Sequence, residues 1–243
     1  MVLITIAQEN LRKLRSNPYP GRGIIMGLDE TGKFLVQVYW IMGRSENSRN
    51  RIFMKDRNGV LKTVPVDPEK ISDPSLIIYT AMLESELEIC LDKINYVVSN
   101  GHQTEEAMLK LEHLRNWEYE PDHPNYTPRI TGVFSFPEKI AKISILKKSP
   151  LDATCDRYFY ELTVSEPGLG YCVTTYKEDG NPLPPFEGDP YLLPLKGGLK
   201  EVGERIWENL DEKNRVCLAV KFIELQTGFS SIYIINKYKK ETK

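Results

Sequence analysis

The first regular pattern along the chain is helical. In residues 4–16, ITIAQENLRKLRS, Ile4, Ala7, Leu11 and Leu14 recur three or four apart on a polar background, and Asn17-Pro18 then ends the run. After the turn-forming PYPGRG the period shortens to that of strands. GIIMGLDETGKFLVQVYWIMG holds two β-rich runs around the polar tract 29–33, with Thr31-Gly32 inside it, and predicts a hairpin. The loop GRSENSRNR follows, and RIFMKDRNGVLKTVPV predicts a second hairpin with Asn58-Gly59 at its turn. Four strands are expected to surround one polar loop.

Between 73 and 98 β-branched residues flank a helix-forming middle, and only a strand ending at Val98 stands out. Ser99-Asn100-Gly101 forms a turn. TEEAMLKLEHLRNW then predicts a helix with Thr104 as N-cap, glutamates in the first turn and apolar residues at 107, 108, 111 and 114. Three prolines in YEPDHPNYTPR impose an irregular connection. Strand-like runs follow at 130–136, 140–147, 157–165 and 170–176. EDGNPLPPFEGDPYLLP, with five prolines, is expected to be a long surface or lid-like loop and neither helix nor central strand. Beyond Gly197-Gly198, Leu199, Val202, Ile206 and Leu210 make one helical stripe, and strands at 215–225 and 230–237 complete the pattern. There is no internal repeat and no low-complexity linker. A chain of 243 residues lies near the upper end of what one core organises, so a single domain over 1–243 is expected, rich in strands with helices between them.

Composition narrows the function classes. Apolar residues make up 41% and charged residues 27%, with both signs interspersed, as in a globular chain. The net charge of −2 gives no global positive field, so nucleic acid is not an expected partner. The opening MVLITIAQENLRKLRS has its basic residues after the short apolar run, the wrong order for a secretory signal, and no apolar stretch approaches a membrane span. A cytoplasmic location without membrane association is expected. Cys90, Cys155, Cys172 and Cys217 form no CxxC pair and are read as small apolar residues. His102, His113 and His123 show no ligand spacing, so no metal is expected.

Candidate chemistry concentrates in the loop 43–51, where Arg44, Arg49 and Arg51 stand among Ser45, Asn47, Ser48 and Asn50. Guanidinium forks suit phosphate or carboxylate, and the short polar side chains add donors. The alternative, a solvated loop that only separates two strands, has equal weight on composition. Arg22 lies between Gly21 and Gly23, where backbone can approach a ligand closely. Neither GxGxxG nor GxxxxGK[ST] occurs, so no nucleotide cofactor is expected, and GxSxG is absent too. Gly197-Gly198 could seat a phosphate on a helix N-terminus, although a plain turn explains it as well. Glu118 and Glu120 sit beside aromatics that could raise a carboxyl pKa; ordinary surface acids are the alternative. Tyr79, in the apolar run LIIYTAM, needs a hydroxyl partner if buried, and a structural role is its default.

In chain order these pieces resemble the archaeal-type IMP cyclohydrolases, stand-alone enzymes that close the last ring of the purine skeleton. The resemblance rests on Tyr19-Pro20-Gly21-Arg22, Arg44-Ser45 with Asn47-Ser48-Arg49, Asp73-Pro74 leading to Tyr79, and Val97-Val98-Ser99-Asn100-Gly101 with Thr104. It continues with Tyr119-Glu120, Thr127-Pro128-Arg129-Ile130, Thr175-Tyr176, Phe186, Gly188 and Pro190. It implies an α/β (α+β) fold similar to the N-terminal-nucleophile hydrolases, a four-layered αββα sandwich of largely antiparallel sheets. With Met1 and Val2 at the start, the nucleophile of true members is lacking.

The implied reaction is dehydrative ring closure of formamidoimidazole carboxamide ribotide to IMP, a purine-biosynthetic step, by a non-covalent mechanism of positioning, proton transfer and electrostatics. The resemblance puts Arg49 and Tyr79 near the formyl oxygen and Glu120 in proton transfer. Arg22, Arg44, Asn47, Asn100 and Arg129 become substrate contacts, and Arg51, opening the next strand, a structural residue. The same motifs would serve a cyclohydrolase or amidohydrolase on a related purine ribotide, or a non-catalytic nucleotide binder. The chain departs from the family in added length at the N-terminal helix and around 80–95, and in Glu46, a negative charge inside the anion loop. The strand content and Pro-rich tract leave room for contacts in a homo-oligomer.

Overall fold

The computed structural model describes residues 2–71, 74, 77–85, 93–115, 126–151 and 154–238. Helix α1 spans Val2–Ser16 and buries Ala7, Leu11 and Leu14 of the predicted stripe, whereas Ile4 stays exposed. The first hairpin is β1 (Gly23–Leu28) and β2 (Phe34–Met42). Asp29 organises its turn: the carboxylate accepts from the backbone N–H groups of Thr31, Lys33 and Phe34 at 2.8–3.0 Å. The second hairpin is β3 (Ile52–Lys55) and β4 (Leu61–Val64). There Gly59 supplies the left-handed residue, φ 83°, that an Asn-Gly turn requires.

The two hairpins belong to different sheets. β1 and β2 join β10 (Leu169–Thr174), β11 (Tyr191–Pro194), β12 (Arg215–Glu224) and β13 (Ser230–Asn236) in a six-stranded sheet of order β11-β10-β1-β2-β12-β13. β3 and β4 join β5 (Thr80–Glu84), β6 (Ile94–Ser99), β7 (Arg129–Phe136), β8 (Ile140–Lys148) and β9 (Cys155–Thr163) in a seven-stranded sheet in sequence order. Every pairing is antiparallel. The polar loop 43–51 is therefore the crossing from one sheet to the other. It contains a one-turn helix, α2 (Glu46–Arg49), closed by a reciprocal capping box between Ser45 and Ser48.

Side-chain alternation explains the layers. Along β2, Leu35, Tyr39 and Ile41 face the second sheet, packing with residues such as Phe53, Met82 and Val98. Val36, Val38, Trp40 and Met42 face the helices, packing with Leu11 and Leu14 of α1 and with Val202 and Ile206 of α4 (Leu199–Glu208). Both faces are covered, so the strand reads as a near-continuous apolar run. On the far side of the second sheet, Val97, Val133 and Leu146 pack under Ala107 of α3 (Gln103–Leu109) and under Leu111 and Leu114. The result is a helix-sheet-sheet-helix sandwich, α+β with antiparallel sheets.

Local readings need correction or completion at four places. Thr104 does not cap α3: His102 holds that position without a side-chain bond, and the Thr104 hydroxyl instead donates to the Thr80 carbonyl at 2.6 Å. The helix predicted from 104 onward breaks at Lys110, whose extended backbone separates α3 from a 3-10 turn at Leu111–Arg115. The mixed segment contains a strand, β5, and the end of the Pro-rich tract pairs as β11 at the edge of the first sheet, where proline costs no ladder bond.

Several polar groups between the sheets are paired. Lys221 Nζ lies 2.9 Å from Glu84 Oε2, which also accepts from Ser230 at 2.7 Å, and Gln37 donates to the Tyr96 carbonyl at 2.9 Å. Burial would otherwise penalise each of these groups.

Candidate functional site

Strand register collects most of the singled-out residues at one end of the sandwich. Gly23 pairs with Trp40 and with Thr174, so Arg22, the end of β2 and Tyr176 emerge together. In the second sheet Ser99 pairs with Thr131 and Arg129 with Leu146, which brings Asn100, Arg129 and Lys147 to one edge. Ile52 pairs with Val64 and Lys62 with Thr80, adding Arg51 and Tyr79. Hydrogen bonds join the two sheets here: Thr127 Oγ1 to Tyr176 OH at 2.8 Å, and Tyr39 OH to Tyr79 OH at 2.6 Å.

Arg22 is the centre of this end. A Cβ on Gly21 would strike Thr175 and Tyr176, and one on Gly23 would strike the Trp40 ring, so the flanking glycines let the chain pass close enough to turn Arg22 inward. The phenols of Tyr79, Tyr176, Tyr19 and Tyr39 lie near enough to act electrostatically on its guanidinium. Burial opposes the charge, but the phenol groups outweigh it and the arginine pKa is raised further. Its Nε is buried without a hydrogen bond, and among the described residues no carboxylate lies in ion-pair range of it. Arg51 is buried next to Arg22, and burial first, then the charge of Arg22, lower its pKa. Burial pushes the Tyr39 hydroxyl and the nearby Cys217 thiol well up, so both keep their protons at neutral pH.

The other arginines have tasks in the loop. Arg44 Nη1 lies 2.5 Å from Asp179 and 2.9 Å from the Gly180 carbonyl, and the guanidinium covers the Tyr19 ring at 4.9 Å, tying the loop to the Pro-rich tract. Arg49 donates to the Gly43 carbonyl at 2.9 Å and to Asn214 at 3.3 Å; Asn214 in turn holds the Pro18 carbonyl at 3.0 Å. Asn47 sits in α2. Glu46 pairs with Lys70 at 3.1 Å, so its negative charge is balanced away from the arginines. Asn100 is spent on backbone: it donates to the Pro128 carbonyl and accepts from the Ile130 N–H, both at 2.8 Å, which sets the path into Arg129. The Arg129 side chain lies against Gly101, 3.5 Å from where a Cβ would be. Glu118 and Glu120 lie outside the described residues.

Two cavities border this end. A cleft of about 720 Å³, lined by Tyr126, Lys147, Lys148, Tyr158, Tyr176 and Pro185 among others, lies between the Pro-rich tract and the β8–β9 turn, a volume suited to a small ligand. A second, of about 320 Å³, lies beside α2 and Lys70. Among the described residues no group of His, Cys, Asp and Glu is placed to hold a metal, and no helix is long and apolar enough to cross a membrane.

Sequence reasoning passed over Tyr39, and it read Arg51 as a structural residue opening a strand, with which its burial is compatible. The signal for Tyr39 was the one used for Tyr79, a phenol inside an apolar run. For Arg51 it was a cation opening a strand whose other inward positions are apolar, a setting that turns the charge into the protein.

A family model described as IMP cyclohydrolase-like protein matches residues 19–228. That stretch begins just after α1 and takes in every residue gathered at this end. No curated protein and no solved structure matches the chain.

Proposed function

The chain belongs to the IMP cyclohydrolase-like family, and from that premise we propose that it closes the pyrimidine ring of formamidoimidazole carboxamide ribotide to give IMP. The carboxamide nitrogen attacks the formyl carbon and a C–N bond forms. One amide proton passes to the formyl oxygen, which departs as water with the hydrogen of the formylamino nitrogen, leaving the ring C=N bond. Because the attack is intramolecular, the protein's main task is to hold the two groups in a reactive conformer and stabilise the oxygen as charge develops on it.

The observation that carries this reading is Arg22: a permanent charge among phenols, with a buried Nε that makes no hydrogen bond among the described residues. A ligand oxygen is the natural partner for such a donor. In this reading Arg22 receives the anionic or carbonyl oxygen of the ribotide and Tyr79 donates to the formyl oxygen. Arg49, Arg44, Asn47 and Arg129 line the surroundings, and Asn100 acts by fixing the 128–130 backbone. Glu120 is the proposed proton carrier. The free thiols and the hydroxyls need not attack anything.

An ultraviolet assay of ring closure with the formylated ribotide, paired with calorimetry using IMP, tests it. Turnover with IMP binding supports the reading. Binding without turnover makes the chain a nucleotide sensor, and absence of both contradicts the proposal.

A further inference from the structure

A pair of facing hydroxyls has two hydrogens, and the bond between them uses one. Tyr39 and Tyr79 face each other at 2.6 Å, and either could be the donor on distance alone. Their surroundings decide. Tyr39 is fully buried, its ring 5.4 Å from Phe53 in the core between the sheets. Among the described residues its hydroxyl makes no hydrogen bond except that to Tyr79, and the titratable groups that act on it are Tyr79, Arg22 and Cys217. A guanidinium cannot accept a hydrogen bond, and the Cys217 thiol makes none with Tyr39. If Tyr79 were the donor, the Tyr39 hydrogen would be stranded in apolar core, at the cost of an unsatisfied buried polar group. If Tyr39 is the donor, the unused hydrogen belongs to Tyr79, which keeps 5% exposure at the site end of the sandwich.

We infer that Tyr39 is a positioning residue whose O–H, given to Tyr79, commits the Tyr79 hydrogen to the ligand side and so makes Tyr79 a donor of fixed direction. The inference rests on the ring-closing function proposed above. Burial keeps Tyr39 protonated far above neutral pH, so the arrangement does not switch in the working range. The two guanidiniums contribute by what they lack: Arg22 and Arg51 crowd the pair without offering either phenol an alternative acceptor. Tyr39 never needs to touch the substrate.

The test is a double-mutant cycle on ring closure with Tyr39→Phe and Tyr79→Phe. Tyr39→Phe removes one oxygen and should fold; Tyr39→Met, which refills the space without a hydroxyl, is the second variant. Tyr79→Phe is expected to lower kcat roughly a hundredfold, as loss of a positioned donor does. Tyr39→Phe should lower kcat roughly tenfold with KM within about twofold, the pattern of a misdirected group and not of lost binding. The double variant should be no slower than Tyr79→Phe alone, since Tyr39 has nothing left to direct. Losses that multiply in the double variant, or an unchanged kcat in Tyr39→Phe, overturn the relay and leave Tyr39 a core residue. A wild-type chain that does not close the ring overturns instead the function on which the relay depends.

Discussion

Of the cations drawn into this sandwich, Lys221 and Arg22, one toward each end, are treated differently. Lys221, toward the far end, has Glu84 at 2.9 Å, and Ser230 satisfies the same carboxylate oxygen. Arg22, at the near end, has phenols, a second guanidinium beside it and a buried Nε with no hydrogen bond. Burying a cation is costly unless it is paired, and among the described residues Lys221 has a carboxylate in ion-pair range whereas Arg22 has none. In the function proposed above, the difference separates a charge that holds the sheets together from one that meets the ligand.

Substitution at the two cations should therefore give opposite results. The largest effect is expected from Arg22→Met: ring closure falls at least about a hundredfold, while the melting temperature changes little because Arg22 is only partly buried and has no ion pair among the described residues. A melting temperature that drops with activity intact would mean that Arg22 is a structural cation like Lys221.

At the far end, Glu84→Met leaves Lys221 buried without its carboxylate. Denaturant unfolding should show a loss of about 3 kcal/mol, at the lower end of values for broken buried pairs because Glu84 is partly exposed. Turnover per folded molecule should not change, and adding Lys221→Met should recover most of the stability.

The smallest effect sharpens the same contrast through pH. Lys93 lies 2.8 Å from Glu138 at the far end, and its hydrogen bond holds that carboxyl below its ordinary value of 4.5. A depressed carboxyl contributes stability above its unfolded pKa and loses it as pH falls through the lower folded value. Lys93→Met should therefore make acid unfolding begin less steeply below about pH 4.5, by at most about 0.5 kcal/mol for so exposed a pair. Ring closure at neutral pH should be untouched.

How much of this could be read in the sequence depends on whether the signal was local. The hairpins at β1–β2 and β3–β4 were legible because Asp29 and Asn58-Gly59 dictate their turns through neighbouring backbone. So were α1 and α4, whose apolar stripes face one surface. β5 was hidden because its five residues follow a segment of mixed pattern, and its place is set by pairing with β4 and β6. Thr104 looked like a cap because its residue type fits one; the hydroxyl was drawn instead to Thr80, a partner supplied by the neighbouring strand.

The site was legible as a collection of residues and illegible as an arrangement. Arg22, Tyr79, Asn100 and Arg129 were singled out, and register brings them to one end of the fold. That the 43–51 loop bridges the sheets, that Arg44 and Arg49 secure it while Arg51 is the one buried beside Arg22, and that Tyr39 meets Tyr79 all depend on which sheet each hairpin joins. No local pattern carries that information.

The most direct test of the contrast is a calorimetric titration of IMP into wild type, Arg22→Met and Glu84→Met. The account predicts saturable binding by the wild type, binding weakened roughly a hundredfold in Arg22→Met by loss of a charge-assisted contact, and wild-type affinity in folded Glu84→Met. Equal affinity in wild type and Arg22→Met, or no binding by the wild type, would contradict it.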